Sequence, residues 1–408
     1  MSIFTKEAVL PESVRPVGPT SGDEPVSILL TGATGYLGSF LLHEFLTTTS
    51  ADVYCIVRAD DEGHARGRIR AKLSSYGLWE DAFAMRVVPV LGDMTRAGLG
   101  LSSNAFDELA ERCDLVMHAA ANVNFLFPYR ALKATNVTAA VDMLRLAGTG
   151  RQKPFHFVST IGIFLSPDHA GRVISEADPL EVLPERANGY SQTKWVAERM
   201  MMTARERGIP VTIHRPGFVG WHSRTGVMND KDFVTGILDA CLTLGRAPDV
   251  SMTLDVAPVD YVVRAMTWLA TRVSSAGKTY HLNNPEPWTW RAVVDAFRAE
   301  GAMLEWVSYE RWRTELSQRR EPALHRFATM LPERVDEAGS IFAALSDVPT
   351  FQFDAVKSDL AGSGIGCGGL DRALVAAFLR NPGSGHRVPR AESSTQLIRA
   401  ADAISKAG

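Results

Sequence analysis

From Val26 to about residue 222, short apolar runs alternate with longer stretches whose apolar positions recur every three or four residues. Residues 26–30, 52–59, 86–93, 114–120, 154–160 and 210–217 are apolar at successive positions, as expected of strands buried on both faces. Between them, residues 38–48, 64–77, 104–113, 129–147 and 191–208 have the spacing and length of helices. Strands separated by helices of this size predict an α/β fold, a doubly wound parallel sheet covered on both sides. Past about residue 222 the alternation fades into Gly- and Pro-punctuated, aromatic-rich pieces such as "PWTW" and "LEWVSYERW".

The predicted organisation has four parts. Residues 1–24, rich in Pro, Gly, Ser and charge, read as a linker. A nucleotide-binding domain covers 25–222, with a strand near 277–283 returning to its sheet. A smaller, mainly helical substrate domain covers 223–385, and 386–408 form a flexible tail with a weak terminal helix. No internal repeat at a solenoid period is present.

Composition narrows the picture. The 408 residues suit about two domains, and 46% apolar content supplies an ordinary core. A net charge of -3 argues against a broad nucleic-acid surface. Cys55, Cys113, Cys241 and Cys367 are scattered, without CxxC or zinc-ligand spacing, so reduced thiols and no metal are expected. No apolar stretch approaches the ~20 residues needed to cross a bilayer, and no signal-peptide core opens the chain. A cytoplasmic protein with no membrane partner is the expectation.

Candidate chemistry starts at "TGATGYLG", where Gly32, Gly35 and Gly38 lie between a predicted strand and a predicted helix. Such glycines permit a sharp turn, bring backbone close to a pyrophosphate and allow tight helix–strand packing, as in a Rossmann dinucleotide site. The helix start then offers its N–H groups to the anion. Twenty residues past Gly38 stands Arg58, where an acid would bind the ribose hydroxyls of NAD. An arginine favours a 2′-phosphate instead, and Arg68 is placed to close on it from the next helix, so the predicted cofactor is NADP(H). Asp93 and Met94, ending the third strand, fall at the adenine edge. In "YSQTK", Tyr190 and Lys194 share one helix face, where an ammonium is expected to lower the phenol's pKa toward useful acid chemistry. The preceding strand ends in Ser159 and Thr160; Thr160 is the candidate for the substrate carbonyl oxygen and Ser159 a structural neighbour. His118 and His214 read as structural.

"TGATGYLG", "HAAANVNF", "FVSTIG", "YSQTK" and "HRPGFVG" resemble the extended short-chain dehydrogenase/reductases. "CIVRA" with Arg68 ten residues on, "GYSQTKWVAE" and "LGRAPD" most resemble the thioester reductase domains of nonribosomal peptide synthetases, polyketide synthases and carboxylic acid reductases. The likeness runs from about 25 to 380, and "CGG" at Cys367 stands where that family often has "CPP". The resemblance implies Thr160, Tyr190 and Lys194 as the catalytic group. It implies that Thr34, Gly35, Tyr36 and Leu37 hold the pyrophosphate of NADPH, and that Ala119, Ala120 and Ala121 pass under a ribose. Asn136 would orient the lysine through water, and Pro216, Gly217, Phe218 and Val219 would flank the nicotinamide. The implied activity is reductive release of an acyl or peptidyl thioester, as aldehyde or alcohol, from a carrier protein's phosphopantetheine arm. Residues 223–233 are expected either to border that arm's entrance or to be an ordinary connecting loop. In the first case Met228 and Phe233 lie near the acyl chain and Arg224 and Lys231 face an acidic carrier. Rival expectations are an acyl-CoA reductase, an NAD-dependent sugar-nucleotide epimerase or dehydratase, and an NADP-sensing protein without turnover.

Overall fold

Seven parallel strands form the central sheet of the computed structural model, in the order β7-β6-β5-β4-β1-β2-β3. They are β1 (Ser27–Thr31), β2 (Asp52–Val57), β3 (Val87–Leu91), β4 (Leu115–His118), β5 (Phe155–Val158), β6 (Val211–Pro216) and β7 (Thr279–Leu282). The structure describes residues 2–16, 18, 25–335 and 341–380, without the side chains of 343 and 344. Every residue of β1, β4, β5, β6 and β7 is buried, as unbroken apolar runs covered by helices on both faces require. Strand order reverses between β1 and β4, which pair with Thr31 opposite His118. The crevice beyond the carboxyl ends of those two strands is where such sheets bind ligands.

The covering helices are α1 (Tyr36–Thr48), α2 (Glu62–Ser75), α3 (Ser103–Arg112), α4 (Tyr129–Lys133), α5 (Ala139–Ala147), α6 (Gly189–Glu206) and α7 (Val259–Ala270). Asp61, Ser102 and Asn188 start α2, α3 and α6 by accepting from the N–H groups of His64, Ala105 and Ser191. The single helix predicted over 129–147 is instead α4 and α5 joined by a π-turn, Ala134–Thr138. Such widened turns occur often at functional positions.

The described residues divide into two compact units. One holds the sheet and comprises residues up to 220, 252–287 and 341–369; the other comprises 221–251, 288–335 and 370–380. More of the chain returns to the sheet unit than the expected strand alone. The reason is apolar surface: Val259, Val262, Val263 and Met266 of α7 are buried, and β7 extends the sheet with Leu282 opposite Pro216. The second unit carries the helices Phe233–Leu244, Trp290–Ala299, Tyr309–Ser317, Pro322–Met330 and Arg372–Arg380, and one strand pair, Arg246–Pro248 with Glu305–Val307. Its core holds Trp221 and Trp290, whose indole N–H groups donate to the carbonyls of Leu374 and Pro248, each at 2.9 Å.

The lead-in is not loose linker over its first half. A helical turn spans Ile3–Glu7, with Phe4 edge-on to Tyr129 at 5.6 Å. Leu10 and Val14 are buried, and Arg207 donates to the carbonyls of Leu10, Pro11 and Val14. Residue 17, residues 19–24 and the expected tail, 386–408, lie outside the described residues. No described helix is long and apolar enough to cross a membrane.

Candidate active site

At the end of β1 the chain turns on Gly32, with φ +82°, a conformation that side-chain-bearing residues rarely adopt. A Cβ on Gly32 would stand 3.0 Å from Ala120 N and 3.1 Å from the Ala119 carbonyl carbon. The turn thus lies directly against the chain leaving β4. A Cβ on Gly38 would come within 2.0 Å of Gly32 O, so α1 rests on that same turn at backbone distance. Gly35 is the N-cap of α1, exposed and without a side-chain cap. Thr34, Tyr36 and Leu37 are half-buried around it, and the Tyr36 hydroxyl donates to Gly220 O at 2.8 Å. An uncapped helix start beside a strand turn held open by glycine fits a pyrophosphate.

Arg58 is exposed just past β2, and the Arg68 guanidinium, reaching from α2, donates to the Arg58 carbonyl oxygen. Both predicted 2′-phosphate arginines therefore stand at the carboxyl end of β2. Asp93 follows β3 and accepts from Thr95 N at 2.9 Å and Thr95 Oγ1 at 2.7 Å. Those two bonds hold its carboxyl below the usual range, and Arg58 and Arg96 add to the effect. Met94 beside it is half-buried. Asp93 and Arg58 are thus close enough to feel each other's charge.

The reacting residues come from β5 and α6. A Cβ on Gly189 would meet Phe127 O at 2.3 Å, so the first turn of α6 abuts the loop after β4. Tyr190, 8% exposed, meets the Phe125 ring edge-on at 5.6 Å. One turn on, Lys194 is 2% exposed; its Nζ donates to Val158 O at 2.6 Å and lies 3.9 Å over the Phe157 ring. Two residues beyond Val158, Thr160 Oγ1 accepts from Gly162 N at 2.9 Å and caps the turn Ile161–Phe164. That cap uses one lone pair and leaves the hydroxyl proton available to donate.

Electrostatics here differ in sign from the sequence expectation. Burial pushes the Tyr190 phenol above its ordinary range, and Lys194 does not reverse it. Burial also pushes the Lys194 ammonium down to about 7, with Glu198 pulling the other way. Desolvation wins at both groups because water is excluded from them. Neutral Tyr190 keeps its proton across neutral pH and can give it away.

Asn136 lies in the π-turn, buried, and its amide exchanges hydrogen bonds with the Asn122 backbone (2.7 and 3.1 Å) and donates to Thr193 Oγ1 at 2.9 Å. It is placed next to Lys194 in sequence through Thr193, with its amide already engaged by protein groups. Ala119, Ala120 and Ala121 are half-buried, and Ala120 N donates to Thr31 Oγ1 at 3.0 Å. That hydroxyl, 2.8 Å from His118 Nδ1, ties the two strand ends across the reversal point. His118, pushed to about 3 by burial and by Lys194, is neutral, and buried His214 pairs with His156 at 3.1 Å. Pro216 is buried; Gly217, Phe218 and Val219 are half-buried. Phe218–Gly220 pairs with Val256–Pro258, and a Cβ on Gly217 would lie 2.6 Å from Asp255 Oδ1. Burial raises the Asp255 carboxyl to about 7, and Asn283 and Asn284 N donate to it.

In the second unit, Met228 and Phe233 are buried and Phe233 packs on Phe327 at 5.9 Å; Arg224 and Lys231 are exposed. Ser159 donates to Glu198. Sequence reading passed over Glu198, Arg215 and Asp255. One signal was legible for the second: Arg215 is a charge inside an otherwise buried strand, and such a charge needs a buried partner.

The family profile described as Male sterility protein matches residues 30–266. A linear gramicidin synthase of Brevibacillus parabrevis is 40% identical over 309 residues, 75% of this chain and 6% of that protein. The L-2-aminoadipate reductase of Eremothecium gossypii, in its large subunit, is 36% identical over 323 residues, 74% of this chain and 23% of that protein. The chain thus spans a minor part of these two relatives. The crystal structure of the terminal R domain from the myxalamid PKS-NRPS biosynthetic pathway matches with a TM-score of 0.84 and 39% identity. That match covers 92% of this chain and 95% of the R domain.

Proposed function

The chain belongs to the Male sterility protein family and, within it, to the terminal reductase domains; from that premise we propose that it uses NADPH to release a carrier-bound acyl or peptidyl thioester as an aldehyde. Its class is oxidoreductase, and its dinucleotide is a nicotinamide cofactor. The observation that carries the reading is the buried Tyr190–Lys194 pair on α6, with Lys194 bonded to the end of β5 in the same sheet as the glycine turn.

The cofactor would be held by the α1 start around Gly35, by Arg58 and Arg68 at its 2′-phosphate, by Asp93 and Met94 at the adenine, and by the chain at Ala119–Ala121. Lys194 and the 216–219 segment would hold its nicotinamide end. When bound, it supplies a hydride. Thr160 donates its free hydroxyl proton to the thioester carbonyl oxygen and so orients it. Tyr190, kept neutral by burial, donates to the same oxygen and gives up its proton as negative charge develops there. The Lys194 ammonium stabilises the tyrosinate that remains. The C–S bond then breaks, leaving an aldehyde and the carrier thiol; a second reduction of the aldehyde gives an alcohol.

The test offers acyl-pantetheine, acyl-CoA and acyl-carrier substrates with NADPH or NADH and identifies the products. Aldehyde or alcohol formed fastest from the carrier substrate supports the reading. Preference for the CoA ester makes the protein an acyl-CoA reductase, and cofactor binding without turnover makes it a sensor. Arg58→Ala is expected to weaken NADPH about 10- to 100-fold, the worth of one charge-assisted contact, with NADH affinity changed less than about threefold. Titration by cofactor fluorescence checks this; equal weakening of both would remove Arg58 from 2′-phosphate recognition.

A further inference from the structure

We infer that Glu198 is a positioning residue for the reducing site, one buried carboxylate that holds together the helix and the two strand ends from which the site is built. The inference rests on the proposed roles of Tyr190, Lys194 and Thr160. Glu198 is fully buried on α6, one turn past Lys194 and so on the same face. Its Oε2 accepts from Ser159 Oγ, the residue before Thr160. Its Oε1 accepts from Arg215 Nε at 2.8 Å and Nη2 at 2.6 Å, and Arg215 immediately precedes Pro216 of the segment placed at the nicotinamide. Each of these partners is adjacent in sequence to a residue that the site uses.

The anchoring continues behind Arg215. Its Nη1 lies 3.1 Å from His281 Nε2 on β7 and 3.5 Å from Glu176 O. The Glu176 carboxylate accepts from His281 N (3.0 Å), Ala355 N (2.5 Å) and Val356 N (3.1 Å). A guanidinium held on both sides in this way fixes Glu198 in one rotamer. A buried ion pair of this kind is weak evidence for stability by itself, because its desolvation cost offsets its attraction. Its placement suggests geometry and charge as its contribution.

Charge reaches Lys194 as well. From its own helix Glu198 acts on it, with Tyr190 one turn before it on the same face; from β4, neutral His118; from β5, the Val158 carbonyl and the Phe157 ring. Among these Glu198 is the anion that supports the ammonium against desolvation. Arg215 and Arg205 are the cations acting on Glu198 and each other.

The experiment compares Ser159→Ala, Glu198→Gln, Glu198→Asp and the paired Glu198→Leu/Arg215→Met in the full chain, with Lys194→Ala as control. The readouts are kcat and KM for an acyl thioester, the pH profile of kcat/KM, NADPH affinity and the thermal midpoint. Ser159→Ala is expected to lower kcat about 10-fold, with KM and NADPH affinity within about twofold. Glu198→Gln is expected to lower kcat about 100-fold and to move the alkaline limb of the profile to lower pH, because the ammonium has lost its supporting anion. Glu198→Asp returns the limb toward its original pH. Should Glu198→Gln fail to fold around the unpaired Arg215, the paired variant carries the test: it is expected to fold, turn over slowly and show the shifted limb. Wild-type kcat in the paired variant, or a limb that stays in place, overturns the inference. Full turnover in Lys194→Ala instead overturns the site reading on which it rests.

Discussion

Tyr190→Phe is expected to lower kcat by about 10²- to 10⁴-fold, the range for loss of a positioned proton donor. NADPH affinity should change less than about threefold, because the phenol's part is played at the substrate oxygen. The substitution is structurally mild. The ring keeps its edge-on contact with Phe125 at 5.6 Å and its buried place at the first turn of α6, so the thermal midpoint should move by only a few degrees. Burial holds the phenol in its protonated form, so the alkaline limb that a proton donor gives is pushed by Tyr190 well above neutral pH. The limb to expect near neutral pH belongs to Lys194: burial pushes its ammonium down to about 7, so kcat/KM is expected to fall as pH rises through that value and the ammonium is lost. Turnover of Tyr190→Phe within about threefold of the parent, measured as NADPH oxidation with an acyl thioester, would take the tyrosine out of the reaction.

Much of the fold was legible because a strand buried on both faces has to be apolar throughout, and β1, β4, β5 and β6 each stand where such a run occurs. The glycine turn was legible for a different reason. Its spacing records a backbone approach that no other residue tolerates, and the structure shows that approach between Gly38 and Gly32. Arg58 and Arg68 could be paired from their distance along the chain, since a strand end and the next helix have few ways to meet.

What stayed hidden depends on tertiary burial. Glu198 sits in "KWVAE", where a glutamate on an amphipathic helix reads as a solvated charge; only the strand beneath makes it a buried partner of Arg215. The direction of the Tyr190 shift was misread because a pair four residues apart suggests mutual attraction, whereas exclusion of water governs both groups. The first half of the lead-in carries Phe4, Leu10 and Val14 at no regular period, so their common burial had no signature in the chain. The membership of α7 and 341–369 in the sheet unit was hidden likewise, because a helix that covers a sheet looks the same in sequence as one in a separate domain.

Gly38→Ala should disable the cofactor site and weaken the fold together. The added methyl carbon would lie 2.0 Å from Gly32 O and 2.5 Å from the Gly32 carbonyl carbon, both backbone atoms that no rotamer change can move. Relief requires α1 to back away from the turn by about an ångström, against a core in which Phe40, Leu41, Leu42 and Phe45 are buried. Overpacking of this kind costs about 1–3 kcal/mol or more, which corresponds to a midpoint lower by roughly 2–12 °C. The same displacement carries the helix start away from the pyrophosphate position, so NADPH affinity should fall more than about 100-fold, the worth of two hydrogen bonds to a charged group. Two other glycines give the scale. At Gly35 a Cβ would stand 3.2 Å from Gly32 O, so alanine there should weaken binding only modestly. At Gly67, on α2, a Cβ meets nothing within 4 Å, and alanine should leave binding alone and raise stability by about 0.5–1 kcal/mol. Thermal melts and NADPH titration of the three variants decide the matter. A Gly38→Ala protein that melts and binds like Gly67→Ala would mean that the strand turn and helix start are not the cofactor's seat.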